Sequence, residues 1–237
     1  MTRDAAPIVA VRGLECRFGH LAALRSVDLE VTAAEVVLLA GPNGAGKSTL
    51  LRTLAGLVRP SRGTVRIAGR DLRGTPEARS VVGLLSHQTM LYDDLTAREN
   101  LRFAASLQRL DGVERRVMEA LDAAGLRDRA GVRAGSLSHG MRRRLAIARA
   151  TLHAPLLLLL DEPFSGLDAA SCDHLRQRLA ADAADGRTVI CVTHQLAEFW
   201  QIATRVILLD QGSVVLDEPR PTEFEEFLAT FNRLLAA

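Results

Sequence analysis

A glycine-rich segment at residues 41–49 has the residue types and spacing to hold phosphate groups. It reads Gly-Pro-Asn-Gly-Ala-Gly-Lys-Ser-Thr and lies between an apolar run at 36–40 and the pair Leu50-Leu51. Glycines leave no Cβ between backbone and ligand, so successive N–H groups can point at phosphate oxygens, and a helix that starts nearby adds its positive end. Lys47 offers a cation to the β- and γ-phosphates, and the Ser48 hydroxyl can bind Mg²⁺. We call this segment the phosphate loop, and its predicted nucleotide-binding residues are Gly41, Pro42, Asn43, Gly44, Ala45, Gly46, Lys47, Ser48 and Thr49.

An ordinary glycine-rich turn between a strand and a helix is the alternative for the phosphate loop. Because glycine makes up about 7% of ordinary sequences, the residues at 41, 46, 47 and 48 would coincide by chance in roughly one chain in a hundred of this length. The apolar run before the loop and the helix expected after it make coincidence rarer. The sequence therefore favours a nucleoside triphosphate site.

Reactive side chains also follow two further apolar runs. Residues 36–40, 156–160 and 188–193 are almost continuously apolar, as strands covered on both faces must be. In open parallel sheets, ligands bind beyond the carboxyl ends of the strands. Asp161-Glu162-Pro163 follows the second run, and the third ends in Thr193-His194. Neighbouring strands would bring both groups to the phosphate loop.

The two acids after the second run predict metal and water chemistry. Asp161 can hold Mg²⁺ directly or through a water, because this ion takes hard oxygen ligands. Glu162 can orient and polarise an attacking water. A solvated strand end is the alternative for the pair, and the phosphate loop favours the chemical roles. His194 can donate a hydrogen bond to the γ-phosphate. The histidines expected to be structural are His20, His153 and His174.

The remaining segments predict two lobes around a parallel sheet. Residues 8–18, 27–31 and 64–67 show the partial alternation of half-buried antiparallel strands. Residues from about 91 to 137 are rich in Ala, Leu, Arg and Glu and predict a small inserted helical lobe. Within it, Thr96 and Glu99 have the spacing of a capping box, and a second helix is expected over 113–124.

The end of the chain predicts a hairpin and an amphipathic helix. Residues 205–209 and 213–216 flank Asp210-Gln211-Gly212 as hairpin strands would. The helix that follows carries an apolar stripe, which we expect to pack on the core of the protein, with a partner surface as the minor alternative. The stripe consists of Phe224, Phe227, Leu228, Phe231, Leu234 and Leu235.

Composition limits the class of partner. The chain has 237 residues and a net charge of +2, from 30 basic and 28 acidic residues, so it has no electrostatic footprint for nucleic acid. Cys16, Cys172 and Cys191 show no paired spacing, which is typical of free thiols in a reducing compartment. The sequence has neither a secretory leader nor an apolar stretch of about 18 residues. We therefore expect one cytoplasmic domain over residues 1–237.

Five segments, taken together in order and spacing, resemble the ATPase subunit of ABC transporters across essentially the whole chain. They are the phosphate loop, Leu-Ser-His-Gly-Met at 137–141, the strand ending in Asp161-Glu162, Ser-Gly-Leu-Asp at 165–168, and His194. We call residues 137–141 the signature segment. The resemblance implies an α/β P-loop NTPase fold of ABC type, with a mainly parallel central sheet, an antiparallel β lobe and a helical lobe inserted at about 91–137.

The resemblance also implies a head-to-tail homodimer. Two ATP molecules would lie between the phosphate loop of one subunit and the signature segment of the other. Ser138 and Gly140 suit a phosphate group because they precede a helix expected over 141–152. Asp168 would lie at the dimer interface and help to couple the two sites.

Two further residues match family positions. Gln88 matches the glutamine that senses Mg²⁺ and water and links the site to the membrane subunit. Phe18 matches the aromatic residue that stacks on adenine, and an ordinary core phenylalanine is the alternative.

The signature segment departs from the usual family sequence Leu-Ser-Gly-Gly-Gln. His139 and Met141 replace its first glycine and its glutamine, while the serine and second glycine are kept. This departure bears on hydrolysis rate and dimer affinity. Residues 142–144 are three arginines that point in different directions on a helix, and we expect a mainly solvated face with one contact to phosphate.

The predicted function is that of a dimeric MgATP hydrolase that drives integral membrane permease subunits from the cytoplasmic face of the membrane. Residues 83–101 resemble the haem-exporter ATPase of cytochrome c maturation, so haem is the favoured cargo. The alternatives are a soluble ATPase of the same fold that serves an assembly scaffold, and a module that senses ATP with little turnover.

Overall fold

Two β-sheets and eight α-helices make up the part of the chain that this computed structural model describes, residues 6–235. The strands are β1 (Val9–Phe18), β2 (Leu21–Val31), β3 (Val36–Ala40), β4 (Arg62–Ile67), β5 (Arg70–Asp71), β6 (Val82–Leu85), β7 (Leu157–Asp161), β8 (Thr188–Val192), β9 (Arg205–Asp210) and β10 (Ser213–Pro219). The α-helices are α1 (Lys47–Leu54), α2 (Pro76–Ser80), α3 (Ala97–Leu107), α4 (Val113–Ala123), α5 (His139–Thr151), α6 (Ala169–Ala184), α7 (Leu196–Trp200) and α8 (Phe224–Leu235).

The central sheet has the strand order β10-β9-β3-β8-β7-β6. It is parallel from β9 to β6, and β10 pairs antiparallel with β9. Every residue of β3, β7 and β8 is buried, which explains their continuous apolar sequences. The three predicted buried strands are therefore confirmed as neighbours. Two bounds differ: Leu156 is 48% exposed and precedes β7, and β8 ends at Val192, one residue before Thr193.

The second sheet is the predicted antiparallel lobe, with the order β2-β1-β4-β5. Two of its strands are longer than the sequence indicated, because β2 begins at Leu21 and β4 at Arg62, whereas β1 begins at Val9, one residue late. The register of β1 shifts against β2 after Val11 and against β4 after Arg12, on either side of Gly13. A bulge of this kind bends the strand locally and increases its twist.

The helical lobe is formed by α3 and α4 packed on one face of α5. Its buried cluster contains Leu101, Val117, Leu121 and Leu145. The capping box at Thr96 is confirmed: its hydroxyl accepts a hydrogen bond from the Glu99 amide at 3.2 Å. The helix α4 ends at Ala123, one residue earlier than expected.

The start of α5 differs from the expectation. The sequence predicted a helix over 141–152, whereas α5 spans His139–Thr151. Ser138 is the N-cap, and its hydroxyl accepts a hydrogen bond from the Met141 amide at 3.3 Å. The helix begins two residues early because the cap satisfies an amide donor that the helix itself cannot.

The last helix packs on the central sheet, and the predicted hairpin is confirmed as β9 and β10 at one edge of that sheet. Phe227 of α8 is buried and stacks on Trp200, with ring centroids 5.0 Å apart. The other described side chains of the stripe pack against the same buried cluster, so the expected packing on the protein's own core is confirmed for them. The side chain of Leu235 lies outside the described set. Within residues 6–235, no helix combines the length and apolarity needed to span a bilayer.

Candidate nucleotide-binding site

The phosphate loop follows β3 and leads into α1. Gly41, Gly44 and Gly46 have φ of 146°, 83° and 102°, as the sequence predicted for a loop whose amides turn inward. Gly46 is the N-cap of α1, and a Cβ there would lie 2.4 Å from the carbonyl oxygen of Ala23. Only glycine fits that position without displacing β2.

Lys47 lies across the phosphate loop as the first residue of α1. Its Nζ donates hydrogen bonds to the carbonyl oxygens of Gly41 at 2.7 Å and Pro42 at 2.8 Å. Burial lowers the pKa of Lys47, and the nearby charges of Glu162 and Asp161 oppose that shift. The ammonium group and the two carboxylates therefore belong to one electrostatic environment.

The three predicted strand ends meet at one edge of the central sheet. The strand β8 lies between β3 and β7: Cys191 pairs with Leu38 on one side and Leu160 on the other. Because these strands are parallel, the phosphate loop, Asp161-Glu162 and Thr193-His194 all emerge at the same edge.

Glu162 has an unusual backbone and a fixed carboxylate. Its φ is 55°, and its amide donates to the Val192 carbonyl at 2.8 Å. The carboxylate accepts hydrogen bonds from the His194 amide at 3.0 Å and from the Thr193 hydroxyl at 3.1 Å. The His194 imidazole is exposed, and its Nε2 lies 3.7 Å from Glu162 Oε1. Sequence reasoning missed Thr193 as a support for Glu162, although a hydroxyl after a buried strand is a usable signal.

The prediction of a solvated arginine face is wrong for Arg143. This side chain is 4% exposed, and its guanidinium lies beneath the strand ends. The other two arginines are half-buried and point elsewhere: Arg142 pairs with Asp93 at 2.7 Å, and Arg144 donates to the Ala124 carbonyl at 2.9 Å. The sequence predicted that the three arginines point in different directions. It did not predict that Arg143, the middle one, faces the interior of the protein.

The donor set at the site suits magnesium. No group of three or more His, Cys, Asp and Glu side chains that could enclose a metal occurs within residues 6–235. Mg²⁺ does not need such a group, since it binds through one or two protein oxygens together with waters and phosphates. The Ser48 hydroxyl and Asp161 carboxylate are hard oxygen donors of this kind. Gln88 lies exposed in the loop after β6.

The remaining predicted residues lie at element ends. Asp168 is the N-cap of α6 and accepts a hydrogen bond from the Ser171 amide at 2.8 Å. Hydrogen bonding to the Ser171 side chain, and then to its amide, lowers the pKa of the Asp168 carboxyl group. Ser138 caps α5 in the same way, and Gly140 lies in the first turn of that helix. Phe18 is 52% exposed at the end of β1, so the alternative of a core phenylalanine is wrong. The exposed ring is free to stack.

The unusual His139 contacts the 165–168 segment. A Cβ on Gly166 would lie 1.9 Å from His139 Nδ1, so the imidazole fills the space that a side chain at 166 would need. The two segments implied by the family resemblance to face a second subunit are therefore packed on each other.

A phosphate loop at the end of a buried strand, with two carboxylates at the same edge of a parallel sheet, defines a P-loop nucleoside triphosphatase. Comparison with known proteins gives the family. Residues 24–165, more than half of the chain, match the ABC transporter family. The chain therefore belongs to the ABC transporter family and has the ABC-type ATPase fold.

Curated relatives include ATP-binding proteins of importers. The chain is 37% identical over 230 residues to the sulfate/thiosulfate import ATP-binding protein CysA 2 of Chromobacterium violaceum, covering 96% of this chain and 62% of the relative. It is 36% identical over 217 residues to the spermidine/putrescine import ATP-binding protein PotA of Pseudomonas aeruginosa, covering 90% and 60%. The chain thus spans less than two thirds of the length of these relatives.

Solved structures agree with the fold. A structure described as the ATP-binding subunit of an ABC transporter superposes with a TM-score of 0.87 at 30% identity, covering 95% of this chain and 99% of that one. A dimeric ATP-binding cassette in a post-hydrolysis state, bound to ADP and phosphate, superposes with a TM-score of 0.82 at 29% identity, covering 91% and 100%. The predicted ABC fold class is confirmed.

Proposed function

We propose that two copies of this chain enclose MgATP head to tail and hydrolyse it to drive transport by separate integral membrane permease subunits. The single observation that supports this function is the meeting of the phosphate loop, Asp161-Glu162 and Thr193-His194 at one sheet edge. The chain would work at the cytoplasmic face of the membrane.

Each residue at the sheet edge has a distinct task in this proposal. The amides of the phosphate loop and the Lys47 ammonium bind the β- and γ-phosphates. Ser48, Gln88 and Asp161 would hold Mg²⁺, which neutralises charge on the transferring phosphate when bound. Glu162, fixed by Thr193 and the His194 amide, orients and polarises the attacking water. The His194 imidazole donates a hydrogen bond to the γ-phosphate.

The second subunit completes each site in this proposal. Ser138 and Gly140 of one copy contact the γ-phosphate held by the other, at the positive end of the thirteen-residue helix α5. Asp168 lies at the interface, and Phe18 stacks on adenine. The dimeric neighbour bound to ADP and phosphate supports this arrangement by analogy.

An exposed apolar groove supports contact with a permease. It has a volume of about 340 Å³, and Tyr92 packs edge-to-face on Phe103 with ring centroids 5.2 Å apart. Leu107, on the same groove, is 68% exposed. Exposed apolar surface of this kind marks a binding site. The groove includes Met90, two residues after Gln88, so it is joined to the nucleotide site by a short segment.

The cargo proposal remains separate from the ATPase proposal. Haem export rests only on the resemblance of residues 83–101. The relatives reported above are importers of sulfate, thiosulfate and polyamines, and they lend no support to haem.

Glu162→Gln is the direct test of the proposed chemistry. The variant should bind ATP at the parental affinity, hydrolyse it at least about 100-fold more slowly, and accumulate as a dimer, because the amide cannot accept a proton from water. ATP binding by calorimetry, phosphate release and size-exclusion chromatography measure these effects. Lys47→Ala is the control, and it should lose ATP affinity instead. Turnover by Glu162→Gln at the parental rate would exclude Glu162 as the water-polarising residue.

The two alternatives give different results. An ATP sensor with little turnover would release no phosphate, with or without a membrane fraction. An assembly ATPase would release phosphate but would not purify with detergent-solubilised membrane proteins. We expect both phosphate release and co-purification with a permease.

A further inference from the structure

The buried guanidinium of Arg143 joins three elements of the molecule. It extends from α5, the helix that follows the signature segment. Its Nη1 donates to the Ser86 carbonyl at 3.2 Å, at the end of β6. Its Nη2 donates to the Asp161 carbonyl at 2.5 Å and to the Glu162 carbonyl, and its Nε lies 3.5 Å from the Pro163 carbonyl oxygen.

These contacts use the shape of arginine. The planar guanidinium carries five donors in a fixed fork, whereas a lysine ammonium is a point donor on a flexible stem. The acceptors named are all main-chain carbonyls, so Arg143 specifies backbone position. The negative charges of Asp161 and Glu162 favour the buried cation, while its burial opposes it.

The backbone that Arg143 holds is the one on which Glu162 depends. A φ of 55° is costly for a residue with a side chain, by about 1–2 kcal/mol, and such a conformation persists only where the surroundings determine it. From the end of β8, Glu162 is held by hydrogen bonds with the Val192 carbonyl, the Thr193 hydroxyl and the His194 amide. Arg143 supplies the bonds that come from α5.

We propose that Arg143 is a positioning residue for ATP hydrolysis, which holds the Asp161–Pro163 backbone so that the Glu162 carboxylate faces the nucleotide. It also ties α5 to the strand ends, so that a movement of the signature segment reaches Glu162 and the segment leading to Gln88 without a change in the phosphate loop. This inference rests on the role proposed for Glu162.

The test compares Arg143→Met with Arg143→Lys. The methionine variant should lower kcat for ATP about 30-fold while the Kd for ATP changes less than about threefold, because the phosphate loop is untouched. The lysine variant keeps the charge and one donor, and it should recover part of kcat. It also supplies the measurement if the methionine variant does not fold. An unchanged kcat, or an equal loss of kcat and ATP affinity, would overturn the proposal.

Arg149→Met is the matched control. Arg149 also lies on α5 and is partly buried, and its Nη2 donates to the Leu84 carbonyl within β6 at 3.2 Å rather than to the strand ends. We expect this variant to lose thermal stability and keep kcat. If both methionine variants lose kcat in proportion to their loss of melting temperature, Arg143 has only a structural role and the proposal fails.

Hydrogen exchange separates this inference from the proposed function. In the nucleotide-free protein, Arg143→Lys should speed exchange of the Glu162 and His194 amides at least about tenfold. The Glu162 amide belongs to the backbone that the guanidinium holds and donates to the Val192 carbonyl, and the His194 amide donates to the Glu162 carboxylate. Exchange in α8 should not change. This readout needs no turnover, so an inactive parental protein would refute the ATPase proposal alone. Unaltered exchange at both amides would refute the role of Arg143.

Discussion

The conformation of Glu162 makes its carboxylate depend on neighbours rather than on its own strand. The residue lies just after β7 with positive φ, and both of its carboxylate oxygens accept hydrogen bonds from the first residues after β8. A small change in Thr193 is therefore transmitted to the group that is proposed to polarise water.

Thr193→Val tests this dependence at a single atom. Loss of the hydroxyl removes its hydrogen bond to Glu162 Oε2 and the acceptor for the Gln195 amide. We expect kcat to fall about tenfold at unchanged ATP affinity, because one hydrogen bond to a charged group contributes about 1.5–3 kcal/mol. Thr193→Ser keeps the hydroxyl and should keep at least half of the rate. Steady-state phosphate release with calorimetric Kd values measures both. Equal rates for the two variants would contradict the role of the hydroxyl.

The contrast between Lys47 and Arg143 shows which site residues a sequence reveals. Lys47 is predicted because its chemistry comes from a local pattern, a glycine-rich turn after an apolar run. Arg143 is not, because its partners lie 18 to 57 residues away along the chain and only the packing of α5 on the strand ends brings them together. A run of three arginines looks solvated until the surroundings of each are known.

The bulge in β1 controls the antiparallel lobe at the scale of the element. Gly63, in β4, lies against it: a Cβ on Gly63 would be 2.2 Å from the Gly13 carbonyl oxygen and 2.4 Å from that of Arg12. Both neighbours are main chain, so neither can move aside without opening the β1–β4 pairing.

Gly63→Ala and Gly69→Ala form a matched pair. Their φ values are similar, +79° and +75°, but a Cβ on Gly69 meets nothing within 4 Å. Gly69→Ala should cost about 1 kcal/mol, which is the strain of the left-handed conformation alone. Gly63→Ala should cost at least about 2 kcal/mol more, in the range of an overpacked core. Urea unfolding of both variants gives the two values, and equal costs would show that the lobe accommodates the clash.

The first residues of β7 and α5 were not predicted correctly from the local sequence pattern. Burial on both faces makes β3, β7 and β8 predictable from composition, yet β7 begins one residue late. Leu156 is apolar but 48% exposed, and its amide bonds the Val81 carbonyl outside the strand. The periodicity of α5 likewise gave no warning that Ser138 caps it two residues earlier than expected.

The helix α5 connects the two halves of the molecule. Ala146 and Ala150 pack in the cluster beneath the central sheet, while Leu145, Ala148 and Leu152 pack in the cluster of the helical lobe. The connection that follows α5 carries His153, whose Nε2 lies 3.1 Å from the Val82 carbonyl oxygen. Stability of the whole fold is therefore sensitive to this one junction.

Mild acid should weaken that junction through His153. Burial lowers the pKa of His153 below its ordinary value of 6.5, and the charges of Arg149 and Arg187 add to this. At a pH between the lowered pKa of His153 in the folded protein and its ordinary pKa in the unfolded chain, only the unfolded chain binds a proton at this histidine. The free energy of unfolding therefore decreases as pH falls below about 6.5. The melting temperature should therefore fall further between pH 7.5 and 5.5 in the parental protein than in His153→Gln. If the melting temperatures of the two proteins changed with pH in the same way, protonation of His153 would not be the cause.

The turn between β9 and β10 is small and polar, yet it joins the phosphate loop to the antiparallel lobe. The Gly212 amide donates to the Ala45 carbonyl at 3.0 Å, and its carbonyl accepts from the Arg25 amide at 2.7 Å. An epitope or fluorescent label inserted into this turn would therefore break the hydrogen bonds that connect the phosphate loop to β2, the strand paired with the one that carries Phe18. A tagging strategy for this subunit should leave residues 210–212 intact.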